Sequence, residues 1–370
     1  MKIRLARKPF AVAMKSLLPI ACNRRSLPIL ACFRLEARAS TLTIEATDLE
    51  TTIRRRVGDV EVARGGSILV PAKALCKVME SAPEDEVSLD TQDGRTVVQL
   101  GSRSITFEGS GDEEWPTCGT GTPEDPHVLV AAEVLGEAFA RACLCASKDE
   151  ARPVLTSIAM QLEQGSSTLQ VVASDSFRLG ALDVPLCEPS PVTDLILIPA
   201  RTLRLAATQM RKGGGIVGMR LHDGADNVTF DHAATTWTIR RMQGEFPNWR
   251  EIIPTRSDVS ASLDAAEIAT ALKTIAAVRT APGVPVRLRF GPSCSLALVE
   301  QGGAQVSEAL TNTSWCSGER EIEVAFNPDY LADALHFVGS EQVDVQLQDG
   351  IKASVFGTPE RRYVLMPVRI

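Results

Sequence analysis

The chain has 370 residues, a formal net charge of −7 and 44% hydrophobic residues. That charge excludes a protein that grips nucleic acid over its whole surface, but not one that confines its cations to a single face. No stretch approaches the roughly 20 continuous apolar residues that span a bilayer. Met1-Lys2-Ile3-Arg4-Leu5 has neither the apolar run nor the cleavage site of a secretory leader, so a cytoplasmic address and no membrane partner are expected.

From the N-terminus, Phe10, Met14, Leu17 and Leu18 fall on one face and predict a helix over 6–19. Ser67-Ile68-Leu69-Val70 reads as a strand that ends where Pro71 opens a helix over 71–80. Proline in a first helical turn sacrifices no hydrogen bond, and its fixed φ suits the helix. Asp93-Gly94 between β-rich runs predicts a hairpin, with strands at 96–100 and 104–107. A stretch rich in Pro, Gly and acidic residues, from Gly111 to Pro126, reads as a linker.

The same order then returns twice. Leu135, Ala138 and Ala142 predict a helix over 131–146, and Leu195-Ile196-Leu197-Ile198 leads through Pro199 into another over 199–212. Asp223-Gly224 marks a second hairpin, with strands at 227–230 and 236–239, and a second linker covers 245–258. Ile268, Leu272 and Ile275 predict a helix over 264–279, and Val324-Ala325-Phe326-Asn327 leads through Pro328 into one over 328–338. Asp349-Gly350 marks a third hairpin, with strands at 352–356 and 363–366. The prolines are spaced by 128 and 129 residues and the turn glycines by 130 and 126. Shared spacing of this kind indicates a threefold internal repeat. The expected fold class is α+β: three repeated domains, 1–122, 123–256 and 257–370, each with helices on one face of antiparallel sheet.

The six predicted helices carry twelve Lys or Arg against seven Asp or Glu, about +5, which leaves about −12 for the remainder. A basic helical face with an acidic exterior suits sequence-independent, salt-sensitive contact with phosphates. The alternative is ordinary solvated helix faces.

Chemistry-bearing motifs are missing. The sequence has no G-x-x-x-x-G-K-[ST] loop, no G-x-G-x-x-G after a strand, no G-x-S-x-G elbow and no H-E-x-x-H. The nine cysteines form no C-x-x-C pair and read as free thiols. Asp175 reads as a turn residue capping local amides. Neither a catalytic residue, a metal site nor a cofactor is expected.

Several stretches together resemble the bacterial DNA polymerase III beta subunit, the sliding clamp. They are Ser26-Leu27-Pro28-Ile29-Leu30, Ala46-Thr47-Asp48-Leu49-Glu50, Val70-Pro71-Ala72-Lys73 and Ser174-Asp175-Ser176-Phe177-Arg178-Leu179. Gly244-Glu245-Phe246-Pro247-Asn248-Trp249, Phe326-Asn327-Pro328-Asp329-Tyr330-Leu331 and Tyr363-Val364-Leu365-Met366-Pro367-Val368-Arg369-Ile370 complete the set. The resemblance implies clamp domains that close as a six-domain dimeric ring, with helices lining the hole. It implies a non-enzymatic protein that encircles double-stranded DNA and tethers the replicative DNA polymerase. Further implied partners are the clamp loader, repair polymerases and other proteins bearing a short clamp-binding peptide.

Carried over by motif, Arg24, Lys73 and Arg201 face DNA. A partner-peptide pocket uses Leu155, Ser174, Phe177, Arg178, Leu179, Pro247, Ile252, Val364, Met366, Pro367, Val368 and Arg369. A homodimer interface uses Ile105 and Phe107 against Ala281 and Pro282. Ser176-Phe177 stands where the family commonly has Gly-His, and Glu251 where a basic residue is common, so an altered partner preference is expected. The competing reading is a paralogous adaptor that binds such peptides without stably encircling DNA.

Overall fold

The fold is given by a computed structural model that describes the chain apart from residues 22–26, 93, 109–113, 117–127, 222–225, 280, 282, 292, 300–304, 318–320 and 370. The six expected helices form within two residues of their predicted limits: α1 (Arg7–Leu17), α2 (Ala72–Ser81), α3 (Ala132–Cys145), α4 (Ala200–Gly213), α6 (Ala265–Val278) and α7 (Pro328–Val338). A further single turn, α5 (Trp249–Ile252), lies within the stretch expected as the second linker. Each long helix buries one apolar stripe. In α1 it is Phe10, Ala13, Met14 and Leu17, and in α6 Ile268, Ala271, Leu272 and Ile275. Full burial of such a side chain contributes about 1.5–3 kcal/mol.

The prolines divide the work differently from the sequence expectation. Pro328 does stand in the first turn of α7, behind an Asn327 cap that accepts the Asp329 amide at 2.9 Å. Pro71 and Pro199 instead close the preceding strands, at Gly66–Pro71 and Asp194–Pro199, and still pair across the sheet with Cys32 and Ser157. A proline at a strand end has no amide to lose from the ladder, so either position is open to it.

The chain divides into two compact units, Met1–Leu135 with Thr208–Arg241, and Gly136–Ala207 with Met242–Ile370. All strand pairings among the described residues are antiparallel, and the continuity of the sheets accounts for this division. In the first unit a five-stranded sheet joins Glu61–Arg64, Lys2–Ala6, Glu86–Gln92, Arg95–Leu100 and Arg103–Glu108. An eight-stranded sheet joins Thr51–Val57 to Thr235–Arg240, with Ile53 opposite Trp237, and so bridges the first two sequence repeats. In the second unit a nine-stranded sheet bridges the second and third repeats. There Arg178–Pro185 pairs with Arg361–Leu365, with Gly180 opposite Tyr363. A four-stranded sheet completes the second unit.

The three Asp-Gly pairs are not equivalent. Gln92 pairs with Arg95 and Gly94 has φ +74°, as a two-residue hairpin requires. Asp93, and the whole of Asp223-Gly224, lie outside the described residues. Around Asp349 the register places Gln346 opposite Val355, so the loop is wide. It is organised by the Asp349 carboxylate, which accepts from the amides of Ile351 (2.9 Å) and Lys352 (2.7 Å).

Neither predicted linker is wholly solvated. In the first, Trp115 is buried and donates to Oε1 of Glu45 at 2.8 Å. Arg54 Nε holds the other oxygen of that buried carboxylate at 2.7 Å. The second stretch packs on the nine-stranded sheet through Trp249, Phe246 and Ile253. Composition rich in proline and acids concealed three aromatic anchors.

Candidate peptide-binding and nucleic-acid surfaces

The turn at Ser174–Arg178 is built by Asp175. Its Oδ1 accepts from the amides of Phe177 and Arg178, each at 3.0 Å. Ser174 Oγ donates to the Arg178 carbonyl at 2.9 Å. Ser176 adopts φ +78°, in the left-handed region that favours glycine. The consequence is that Phe177 points outward and is 61% exposed. Its carbonyl accepts the Met366 amide at 3.0 Å, which sets the C-terminal segment against the turn.

Arg178 turns inward. Its Nε lies 3.0 Å from Asp175, Nη1 bonds Asp333 and reaches the Tyr363 hydroxyl at 3.4 Å, and the guanidinium lies 4.1 Å over the Tyr330 ring. Tyr363 in turn donates to the Tyr330 carbonyl at 2.9 Å. Burial works against the Arg178 charge, yet its hydrogen bonds to Tyr363 and Asp333 outweigh it and raise its pKa. Burial also drives the Tyr363 phenol well above its ordinary value, so it stays a neutral donor. Arg178 is thus a positioning residue for the turn.

Below the turn lies a packed apolar floor. Leu179 and Val364 are cross-strand partners, each 1% exposed, and they cluster with Ala159, Val172, Leu197, Trp249 and Val355. Leu155, on a short 3₁₀ turn at Pro153–Thr156, is nearly as buried. Phe177 and Met366, joined by their backbone bond, expose apolar side chains next to the floor strands, and Ile252 and Pro247 are exposed on the segment that carries Trp249. Pro367 and Val368 are half-buried, and the Val368 amide donates to the Ala325 carbonyl at 2.8 Å, while Arg369 is exposed. Gly244 shapes the approach: at φ +141° it sits where a Cβ would meet Val154 at 2.6 Å. Glu251 is partly engaged, accepting from Asn248 Nδ2 at 2.7 Å.

Most of the carried-over residues therefore fall into a buried floor or an exposed apolar set; Arg178 and Ser174 serve the turn, Pro367 and Val368 are half-buried and Arg369 is an exposed cation. Sequence reasoning missed the supports Tyr330, Asp333 and Tyr363, and the floor residues Trp249 and Val355. Period-two alternation in the last two strands could have revealed Tyr363 and Val355.

Of the residues expected to face DNA, Lys73 on α2 and Arg201 on α4 are exposed, and Arg24 lies outside the described residues. Ile105 and Phe107 alternate as half-buried positions on the edge strand of the five-stranded sheet. Such an edge offers unpaired backbone groups to a partner. Ala281 is exposed and Pro282 lies outside the described residues. Among the described residues, no cluster of three metal-ligating side chains occurs, and no helix is long and apolar enough to cross a membrane.

Repeated helix-on-antiparallel-sheet modules, with sheets running from one repeat into the next, define the class of the fold as a DNA clamp. Family models of the DNA polymerase III beta subunit match in succession: the N-terminal domain over 1–119, the central domain over 129–248 and the C-terminal domain over 250–369. The chain belongs to this family of sliding clamps, which are processivity factors and not enzymes. It is 26% identical to the beta sliding clamp of Streptomyces coelicolor, with all of both chains covered. It is 28% identical to the beta sliding clamp homolog GriR of Streptomyces muensis, covering 94% of this chain and 93% of that one. The crystal structure of the Bacillus subtilis DNA polymerase sliding clamp has the same fold, with a TM-score of 0.93 at 20% identity, covering 100% of this chain and 99% of that one.

Proposed function

We propose that this chain closes as a homodimeric ring around double-stranded DNA and tethers the replicative DNA polymerase through a short linear peptide. In this reading, 1–122, 123–256 and 257–370 are the functional domains, and the protein acts in the cytoplasm. The clamp loader and repair polymerases share the same docking surface. The observation that carries the proposal is the pair of exposed apolar side chains Phe177 and Met366, bonded through their backbones next to the packed Leu179 and Val364 floor, with exposed Ile252 and buried Leu155 as the further candidates. Exposed apolar groups beside a rigid base suit a few apolar anchors of an extended peptide, with specificity set by which side chains fit. Lys73 and Arg201, together with Arg24, supply phosphate contacts without reading sequence. Ile105 and Phe107 pair with the Ala281–Pro282 segment of a second copy.

The test combines light scattering over a dilution series with retention on nicked circular DNA after loading. A two-chain mass that persists on dilution, with release only when the circle is linearised, is the expected result. A single-chain mass throughout, with peptide binding intact, would replace the ring by an adaptor role.

A further inference from the structure

A cavity of about 580 Å³ opens in the second unit, lined from α5 and from strands of the nine-stranded sheet. Its character is polar and cationic. Trp249 forms its base, Arg250 and Arg362 flank the indole, and Gln170, Gln346 and Thr358 add hydrogen-bonding groups. The Arg250 guanidinium carbon lies 4.6 Å from the indole centroid and that of Arg362 lies 5.9 Å away.

The two arginines differ in how far they are satisfied. Arg250 bonds Gln161 at 2.9 Å, Glu163 at 3.2 Å and Gln170, so its charge is partly answered at the outer edge. Arg362 has a buried Nε with no hydrogen-bond partner. Glu360 feels its charge but is fully exposed and lies outside the cavity lining. A buried donor left unsatisfied is costly unless something supplies an acceptor.

The cavity shares residues with the apolar floor of the candidate peptide surface. Trp249, Ile253 and Val355 belong both to its lining and to the apolar cluster beneath Phe177 and Met366. Along the final strand, Arg362, Val364 and Met366 share one face by the period of two. A peptide whose apolar residues lie over Val364 and Met366 is therefore within a few residues of Arg362.

We propose that this cavity is an anionic subsite that takes an Asp or Glu carboxylate carried on the flank of a partner's apolar motif. The inference rests on the peptide-docking reading above. The carboxylate accepts from the terminal guanidinium nitrogens of Arg362 and from the guanidinium of Arg250, and so relieves the repulsion between two cations facing one indole, the buried Arg362 Nε having no acceptor to draw that charge away.

Fluorescence anisotropy with three labelled peptides tests it at low and high salt. One is a short Leu- and Phe-containing peptide, the second has an added Asp/Glu flank, and the third carries a Lys flank. The expected result at low salt is about five- to tenfold tighter binding of the acidic peptide than of the plain one, shrinking with salt. The Lys-flanked peptide should bind more weakly than the plain one, and this comparison needs no variant protein. In Arg362→Gln the acidic advantage should vanish while the plain peptide binds as before, and Arg362→Lys should keep part of it. Equal affinity of plain and acidic peptides for the native chain would overturn the subsite and leave the apolar pocket standing. Failure of the plain peptide to bind would overturn both.

Discussion

Replacing Arg178 by Met asks whether its guanidinium holds the Ser174–Arg178 turn against the sheet. The side chain is 9% exposed and joins Asp175, Asp333, Tyr330 and Tyr363. Removing one partner of a buried ion pair costs about 3–5 kcal/mol, because the other charge stays behind. Two features moderate that cost here. Asp333 is 29% exposed and regains some hydration. Asp175 keeps two backbone amide donors. The expected loss is therefore near the lower end, about 3 kcal/mol, read from urea unfolding with an unchanged slope. Adding Asp333→Asn to the Arg178→Met background removes the stranded charge and should restore about 1 kcal/mol, although the same change destabilises the native chain. Because the turn presents Phe177, peptide affinity should fall with Arg178→Met and stay low in the double variant. A loss below about 1 kcal/mol, or a double variant no more stable than Arg178→Met, would refute the reasoning.

Four further outcomes are expected. Phe177→Ala should weaken apolar peptide binding by about tenfold with little change in unfolding, because the ring is 61% exposed until a partner covers it. Ser176→Gly should stabilise by about 0.5 kcal/mol, since release of left-handed strain slightly exceeds the entropy gained by the unfolded chain; a clear destabilisation in thermal melts would contradict this. Two backbone donors, with the nearby Lys352 charge, hold the Asp349 carboxyl below its ordinary 3.8. The loop is therefore stabilised above that value and loses the contribution as pH falls through the lowered one, a dependence that Asp349→Asn should remove from acid unfolding curves. Among the described cysteines, exposed Cys187 should react first with iodoacetamide at pH 8, whereas burial pushes Cys143 up to about 11 and protects it, as peptide mapping would reveal.

The sequence by itself determined the helices and the threefold order. Apolar spacing such as Phe10, Met14 and Leu17 is local information, and repetition at a common interval multiplied its weight. The motifs also supplied the candidate residues for a peptide surface, because Phe177 and Met366 belong to short stretches that could be matched one by one and Ile252 lies three residues beyond another. Tertiary structure decided what those side chains do. Arg178 faces inward because Asp333 on α7 and Tyr363 on the paired strand, both more than 150 residues away, meet it there. Trp249 stands in a Pro-rich stretch, yet it is buried, because the nine-stranded sheet offers an apolar face there. The extent of the two compact units also depended on long-range registry, with Ile53 opposite Trp237 and Gly180 opposite Tyr363. Local periodicity carries no record of which distant edge a strand will meet, because that choice is made by side chains packing across the pair.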